Sequence, residues 1–407
     1  MEARNNIFLI SDRARSERAK GKDIVDGTVG MMLLDDGTLA RLPSVTKALE
    51  KVKNDPLEYP PVGGYQDFLD AALKWIWGDL ADRVRTDTSL VEFASNGGTG
   101  ALYLAFCYAK AQGYEVLYPG IGWPNYQTIA KAAEVPYKPY ALFDESGRFN
   151  IESIRRIMAR DRKLFKGFLI LVNDPCENPT GYSLTKEECE AVYNLARDGA
   201  SELNTRADII WDAAYLDFAE HRPSWIEMSL DTSTTSKTFV AFSASKSFGA
   251  YGLRIGALFG LFDPKKEDKT RNMVNLLQGK AYGIYSTPES MGMRAVTEVM
   301  KRSNAEAVKE GIDSWKKIVN RRSKAVIEAL DKEGIAYLPH SEGFYLTVKC
   351  PVNADEVEDE LESRGVFLGP VVMNMIRISL ASVRAEDSEM IAKALKEAFE
   401  AIQAKTK

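Results

Sequence analysis

The chain has 407 residues, 45% hydrophobic and 27% charged, with a formal net charge of -5. That length accommodates a large domain and a smaller one, and the acidic balance argues against a nucleic-acid or anionic-membrane partner. No apolar run approaches the roughly 20 residues that a membrane span needs. From the N-terminus, the basic stretch RARSERAKGK is interrupted by Glu17 and preceded by Asp12, so it reads as a solvated helical arm and not as a transit segment. EVLYP (Glu115 to Pro119) reads as a strand, with a helix from about Pro124. GFLILVN (Gly167 to Asn173) is a second strand, followed by a Pro- and Asn-rich loop. Thr185 and Glu188 then make a capping-box pattern that predicts a helix start. ADIIWD (Ala207 to Asp212) and TFVAFSAS (Thr238 to Ser245) complete a series of apolar strands separated by helix-period segments, the mark of a parallel sheet covered by helices.

After Pro288 the pattern changes to long amphipathic helices through about Leu330. GFYLTV (Gly343 to Val348) and MIRISL (Met375 to Leu380) then read as strands, and ADEVEDELESRG and the segment from Ala385 as helices. The expected fold is α/β: a large three-layer αβα domain with a mostly parallel sheet over 46–315. A smaller α+β domain is expected from 316–407, together with the N-terminal arm, 1–45. The four cysteines are scattered and read as reduced packing thiols of a cytoplasmic protein. His221 and His340 sit in no motif, so no metal site and no Ser-His-Asp arrangement is expected. Proton transfers then fall to Lys, Tyr or Asp.

Ligands of open parallel sheets bind at the carboxyl ends of strands, and the informative motifs fall there. SASKSFGAYGLRIG (Ser243 to Gly256) puts Lys246 just after an apolar strand, where desolvation favours a neutral amine able to attack an aldehyde. Ser243, Ser245 and Arg254 add hydroxyls and a fixed cation suited to a phosphate. A lone lysine is ordinarily a surface residue; the Ser-x-Ser-Lys and Gly-Leu-Arg-x-Gly combination reverses that reading. In WDAAYLDF, Asp212 ends a buried strand, where a carboxylate needs a partner, and a cationic ring nitrogen is a natural one. Tyr215 follows at a spacing that returns its phenol to the same edge. Taken singly, the pair would be a helix-capping Asp and a packing Tyr. NDPCENPTG reads as a turn beyond a central strand, with Asn178 as a hydrogen-bond donor. In SNGGTGALYLAF, glycines before a helix offer backbone amides to a phosphate, without matching the dinucleotide or Walker pattern.

Together these residues resemble the fold-type I pyridoxal-phosphate aminotransferases of class I/II, and most of all their aspartate and aromatic aminotransferase branch, from about Asp26 to the end. The resemblance implies an aspartate aminotransferase-like fold and a ping-pong exchange of an amino group between an L-amino acid and a 2-oxo acid. It implies pyridoxal 5'-phosphate held by Lys246 as a Schiff base, with Lys246, Tyr215 and Asp212 catalytic. Asp212 then pairs with the ring nitrogen, and Tyr215 and Asn178 contact the ring 3′ oxygen. Gly98, Thr99, Ser243, Ser245 and Arg254 bind the phosphate, and Trp123 stacks on the ring. Tyr59 reaches the phosphate of a neighbouring subunit, which implies a homodimer. Arg377 grips the substrate carboxylate, with Asn178, Trp123, Gly30 and Tyr282 also on the substrate. Dicarboxylate-specific relatives carry an arginine where KAYGIYSTPES has Tyr282, so the expected substrate is aromatic or apolar and not aspartate. A β-lyase on the same fold is the nearest alternative. A non-catalytic regulator and a nucleotide-dependent enzyme are disfavoured by the charge and by the glycine spacing.

Overall fold

The computed structural model describes residues 7–231 and 236–406. The chain divides into two compact units: Arg41–Pro175 with Leu184–Ile312, and Met1–Ala40 with Cys176–Ser183 and Asp313–Lys407. The expectation drew the large domain over 46–315 in one piece; Cys176–Ser183, inside that range, groups with the chain ends. Residues 1–6 of the expected arm lie outside the described residues.

The first unit is built on a seven-stranded sheet. Its strands are β1 (Ser89–Asn96), β2 (Tyr114–Pro119), β3 (Tyr137–Tyr140), β4 (Gly167–Asn173), β5 (Ala207–Asp212), β6 (Thr238–Ser243) and β7 (Ile255–Phe262). They lie in the order β1-β7-β6-β5-β4-β2-β3, and β7 alone runs against the others. Every residue of β2, β4, β5, β6 and β7 is buried, which is why these strands read as continuous apolar runs: helices cover both faces of such a sheet. Edge strand β1 mixes buried and half-buried positions and ends on the exposed Asn96. Helices α1 (Gly97–Gln112), α2 (Asn125–Ala132) and α3 (Lys186–Ser201) each follow a stretch that leaves the sheet. The capping box holds: the Thr185 hydroxyl accepts from the Glu188 amide at 3.3 Å, and the Glu188 carboxylate accepts from the Thr185 amide at 2.9 Å. Gly256 in β7 lies so close to the start of α1 that a Cβ there would sit 2.5 Å from the Gly97 carbonyl carbon, so a side chain would push β7 and α1 apart.

The second unit has a three-stranded antiparallel sheet of β8 (Tyr345–Lys349), β9 (Gly369–Val371) and β10 (Met375–Ser379), in the order β9-β10-β8. Helices Ala354–Ser363 and Ser388–Thr406 accompany it, and Val25–Asp26 pairs in parallel with Val366–Phe367. The N-terminal arm is helical over Ile7–Ala19, but it is docked and not wholly solvated. Ile10 and Ala14 are fully buried, and Arg13 Nε donates to Glu362 at 2.6 Å. The apolar side of the arm and Arg13 together dock it. The four cysteines are free thiols. Among the described residues no helix is long and apolar enough to cross a membrane.

Candidate active site

In the first unit the candidate residues gather at the carboxyl ends of β1, β5 and β6, as an open parallel sheet favours. β1 ends at Asn96 and α1 begins at Gly97, so the amides of Gly98 and Thr99 belong to the first turn of a 16-residue helix, an anion-favouring end. A Cβ on Gly98 would lie 3.3 Å from the Ser243 Cβ, and one on Gly97 would lie 2.7 Å from Arg254 Nη2. Arg254 takes a left-handed backbone, φ 55°. It turns its Nη1 to the Ser245 hydroxyl at 3.1 Å and to the Tyr251 carbonyl at 2.9 Å. Ser243 Oγ accepts from the Ser245 amide at 3.3 Å. Five residues that the resemblance assigns to a phosphate are thus brought together: Gly98, Thr99, Ser243, Ser245 and Arg254.

Lys246 lies in the short helix Ala244–Ser247 that leaves β6. Its Nζ stands 5.7 Å from the Tyr215 ring centroid and 5.0 Å from that of Tyr251. Tyr251 was not among the expected site residues, although it lies inside the Lys246 motif.

Asp212 ends β5 and is 4% exposed. Its Oδ2 accepts from the Tyr126 phenol at 2.8 Å and its Oδ1 from the Ala214 amide at 3.2 Å. No cation pairs with it among the described residues. Burial pushes the Asp212 carboxyl up to about 6, while the Tyr126 and Ala214 hydrogen bonds pull it the other way. Asn173, at the end of β4, donates from Nδ2 to the Asp212 carbonyl at 2.9 Å and fixes the strand end. Trp123 meets Tyr126 edge-on, ring centroids 5.5 Å apart. Tyr126 was missed, and the GWPNY segment that flagged Trp123 contains it.

The second unit carries a different cluster. Arg377 of β10 is 7% exposed. Its Nη1 donates to Asn178 Oδ1 at 3.2 Å and its Nη2 to the Thr28 carbonyl at 3.0 Å. Its Nε is buried without a hydrogen-bond partner, and no carboxylate pairs with it among the described residues. The guanidinium carbon stands 4.3 Å from the Tyr345 ring centroid, a contact the sequence did not suggest. The segment containing Gly30 runs beside β10: the Ser379 amide donates to the Gly27 carbonyl at 2.9 Å and its hydroxyl to the Val29 carbonyl at 2.6 Å. The Asn178 turn is held from several sides. Glu177 accepts from the Thr180 amide and hydroxyl at 3.0 and 2.6 Å, and Thr347 donates to the Pro179 carbonyl at 2.7 Å. His340 sits between the Thr180 carbonyl at 3.0 Å and Ser323 Oγ at 2.9 Å, and burial lowers its pKa. It ties the turn to Ser323. Two expected residues stand outside both clusters: Tyr59 is 89% exposed and Tyr282 63%.

Comparison with known proteins follows the same lines. The family described as aminotransferase class I and II matches residues 22–395. The chain is 28% identical to a cytoplasmic aspartate aminotransferase of Dictyostelium discoideum, over 75% of this chain and 68% of that one. An aminotransferase crystal structure from Anaerococcus prevotii superposes with a TM-score of 0.86 at 23% identity, covering 97% of this chain and 95% of that one. An aromatic-amino-acid aminotransferase from Burkholderia pseudomallei, solved covalently bound to pyridoxal phosphate, gives 0.80 at 21% identity and 98% coverage of both chains. The residues described above fit such a group: a strand-end lysine, a buried carboxylate lacking a cation, and a helix start facing an arginine.

Proposed function

The chain belongs to the class I and II aminotransferases, pyridoxal-phosphate-dependent transferases, and on that premise we propose which side chains do the work and which amino acids it prefers. The cofactor supplies, when bound, an aldehyde for an amine and a conjugated ring that takes up negative charge from the substrate α-carbon. Gly98, Thr99, Ser243, Ser245 and Arg254 hold its phosphate through amides, hydroxyls and a fixed guanidinium. Asp212 keeps the ring nitrogen protonated, Trp123 covers the ring face, and Tyr215 and Asn178 donate to the ring oxygen. Lys246 Nζ holds the cofactor at rest and then takes and returns the α-proton. Arg377 binds the α-carboxylate of amino acid and 2-oxo acid alike, so both half-reactions use one set of side chains and the kinetics are ping-pong. Gly30 lines the substrate's approach.

The observation that carries this reading is the guanidinium of Arg377, buried with an unsatisfied Nε and, among the described residues, no carboxylate partner. A buried cation in that state is costly unless an anion arrives, and every amino acid and 2-oxo acid brings one. For the side chain, the reading is an aromatic or apolar donor, since position 282 holds a tyrosine and not a cation. A second copy of the chain covers Leu57, Tyr59, Tyr282 and Ile284, which are 76%, 89%, 63% and 52% exposed. The homodimer works in the cytoplasm, in keeping with four free thiols.

A donor–acceptor panel with 2-oxoglutarate, oxaloacetate and pyruvate tests the reading. Aromatic donors are expected to exceed aspartate in kcat/KM by roughly tenfold or more, the worth of one poorly matched charged group. Aspartate equal to or better than the aromatic donors overturns the side-chain preference. Release of pyruvate and ammonia from cysteine conjugates, with no acceptor needed, replaces it with a lyase.

A further inference from the structure

Tyr215 and Lys246 are carried by pieces of chain too short to hold their own shape. Tyr215 immediately precedes the three-residue helix Leu216–Phe218, and Lys246 sits in the four-residue helix Ala244–Ser247. A helix of that length is unfavourable alone, so what packs against it sets its place. One side chain from a third segment touches both pieces. Trp75 Nε1 donates to Asp217, at 3.0 Å to Oδ1 and 3.1 Å to Oδ2, two residues beyond Tyr215. The Trp75 ring meets Phe248 edge-on, two residues beyond Lys246, with centroids 5.1 Å apart and 73° between planes. Phe248 is 1% exposed and also meets Phe242 of β6, at 6.4 Å between centroids.

The helix that carries Trp75, Gln66–Trp77, is seated through other residues. Its buried face includes Phe68, Ala72, Ile76 and Trp77, and Trp77 Nε1 donates to the Ser229 hydroxyl at 2.9 Å. Trp75 stands beside that face, half-buried. An indole suits a double contact, since its N–H donates while its carbon body packs on another aromatic ring. We propose that Trp75 is a positioning residue that sets the spacing between the Tyr215 phenol and the Lys246 amine, whose Nζ lies 5.7 Å from the Tyr215 ring centroid. By holding Asp217 and Phe248 at one separation, it brings the phenol to the ring oxygen of a cofactor held at Lys246. The inference rests on the proposed assignment of Tyr215 to that oxygen.

Trp75→Phe removes the N–H and keeps an aromatic ring towards Phe248. Apoprotein of wild type and variant is titrated with pyridoxal 5'-phosphate and with its 3-deoxy analogue, which has hydrogen in place of the ring hydroxyl. The variant is expected to bind the natural cofactor roughly fivefold more weakly, as for loss of one neutral hydrogen bond, with affinity for the analogue unchanged. Asp217→Ala is expected to reproduce that selective loss, and Asp217→Asn to retain most of the wild-type affinity, because an amide oxygen still accepts from the indole. In a Tyr215→Phe background, Trp75→Phe is expected to have no selective effect, because the coupling is then already lost. Equal losses on both ligands, or no loss on either, overturn the proposal. So does a selective loss that persists with Tyr215→Phe, or an Asp217→Asn protein as impaired as Asp217→Ala. Wild-type and Tyr215→Phe proteins that discriminate alike between the two ligands would instead overturn the assignment of Tyr215 on which the inference stands.

Discussion

Asp212 in the sheet-bearing unit and Arg377 in the unit formed by the chain ends are both buried, and neither has an oppositely charged neighbour among the described residues. Arg322 is buried more deeply than either, at 0% exposed, yet it pairs with Asp35 at 2.8 Å and donates to the Leu33, Leu380 and Ala381 carbonyls. The contrast separates two uses of an interior charge. Where the chain itself supplies the counter-charge, the group locks segments together. Where it does not, the fold bears a desolvation cost that only a ligand can offset.

The bluntest way to break that contrast is to remove the amine proposed to hold the cofactor. Lys246→Ala is expected to lower transamination by a factor on the order of ten thousand, as for loss of a combined nucleophile and general base, and to abolish the visible absorbance of purified protein. Retention of both would place the chemistry elsewhere. The two arginines give the sharper test. Arg377→Ala is expected to lower kcat/KM about a thousandfold, roughly 4 kcal/mol, with thermal stability unchanged or slightly raised. Arg322→Ala should do the reverse, costing about 3 kcal/mol of stability by emptying a fully buried site and removing the donor to three carbonyls, while Asp35 keeps Arg321 as a partner, with kcat/KM per folded molecule close to wild type. Arginines that behave alike in a denaturation and kinetic comparison would dissolve the distinction.

The smallest effect lies in the pH dependence of the cofactor-free protein. The folded-state carboxyl of Asp212 lies at about 6, above the ordinary value near 4, so the folded protein binds this proton more tightly than the unfolded chain does. The resulting stability is fully present below pH about 4 and is lost as pH rises through about 6, at most about 3 kcal/mol. Denaturant melts of apoprotein should therefore show wild type gaining on Asp212→Asn as pH falls from 7 towards 5. Added cofactor should shrink that gain. A difference independent of pH would mean that Asp212 already has a counter-charge.

The two regions also differ in how readable they are. Asp212 ends an apolar strand and Lys246 follows one within three residues, so strand, terminus and reactive group appear together in a short stretch. β1, β3 and β7 were harder to read. β3 is four residues long with Pro139 inside it, β1 is an edge with mixed burial, and β7 carries Gly256 and Gly260 in a stretch that also served the lysine motif. The Tyr126–Asp212 bond depends on sheet order, which no local pattern encodes. In the second unit the Arg377 cluster draws on Thr28, Asn178, Tyr345 and Arg377 itself, four stretches far apart in the chain. No spacing rule links them, and Arg377 was named only through resemblance. Asn178 was expected at the ring oxygen with Tyr215, and its contact with Arg377 could not be read from a turn motif.

Because the second unit takes its pieces from the start, the middle and the end of the chain, the two halves of the chemistry are finished at different moments of synthesis. A ribosome that has released residue 312 has emitted the whole seven-stranded sheet, with Lys246 and Asp212 in place, while β10 and Arg377 are still untranslated. On the roles proposed above, the residues for the vitamin-derived helper leave the ribosome before the arginine for the amino acid does.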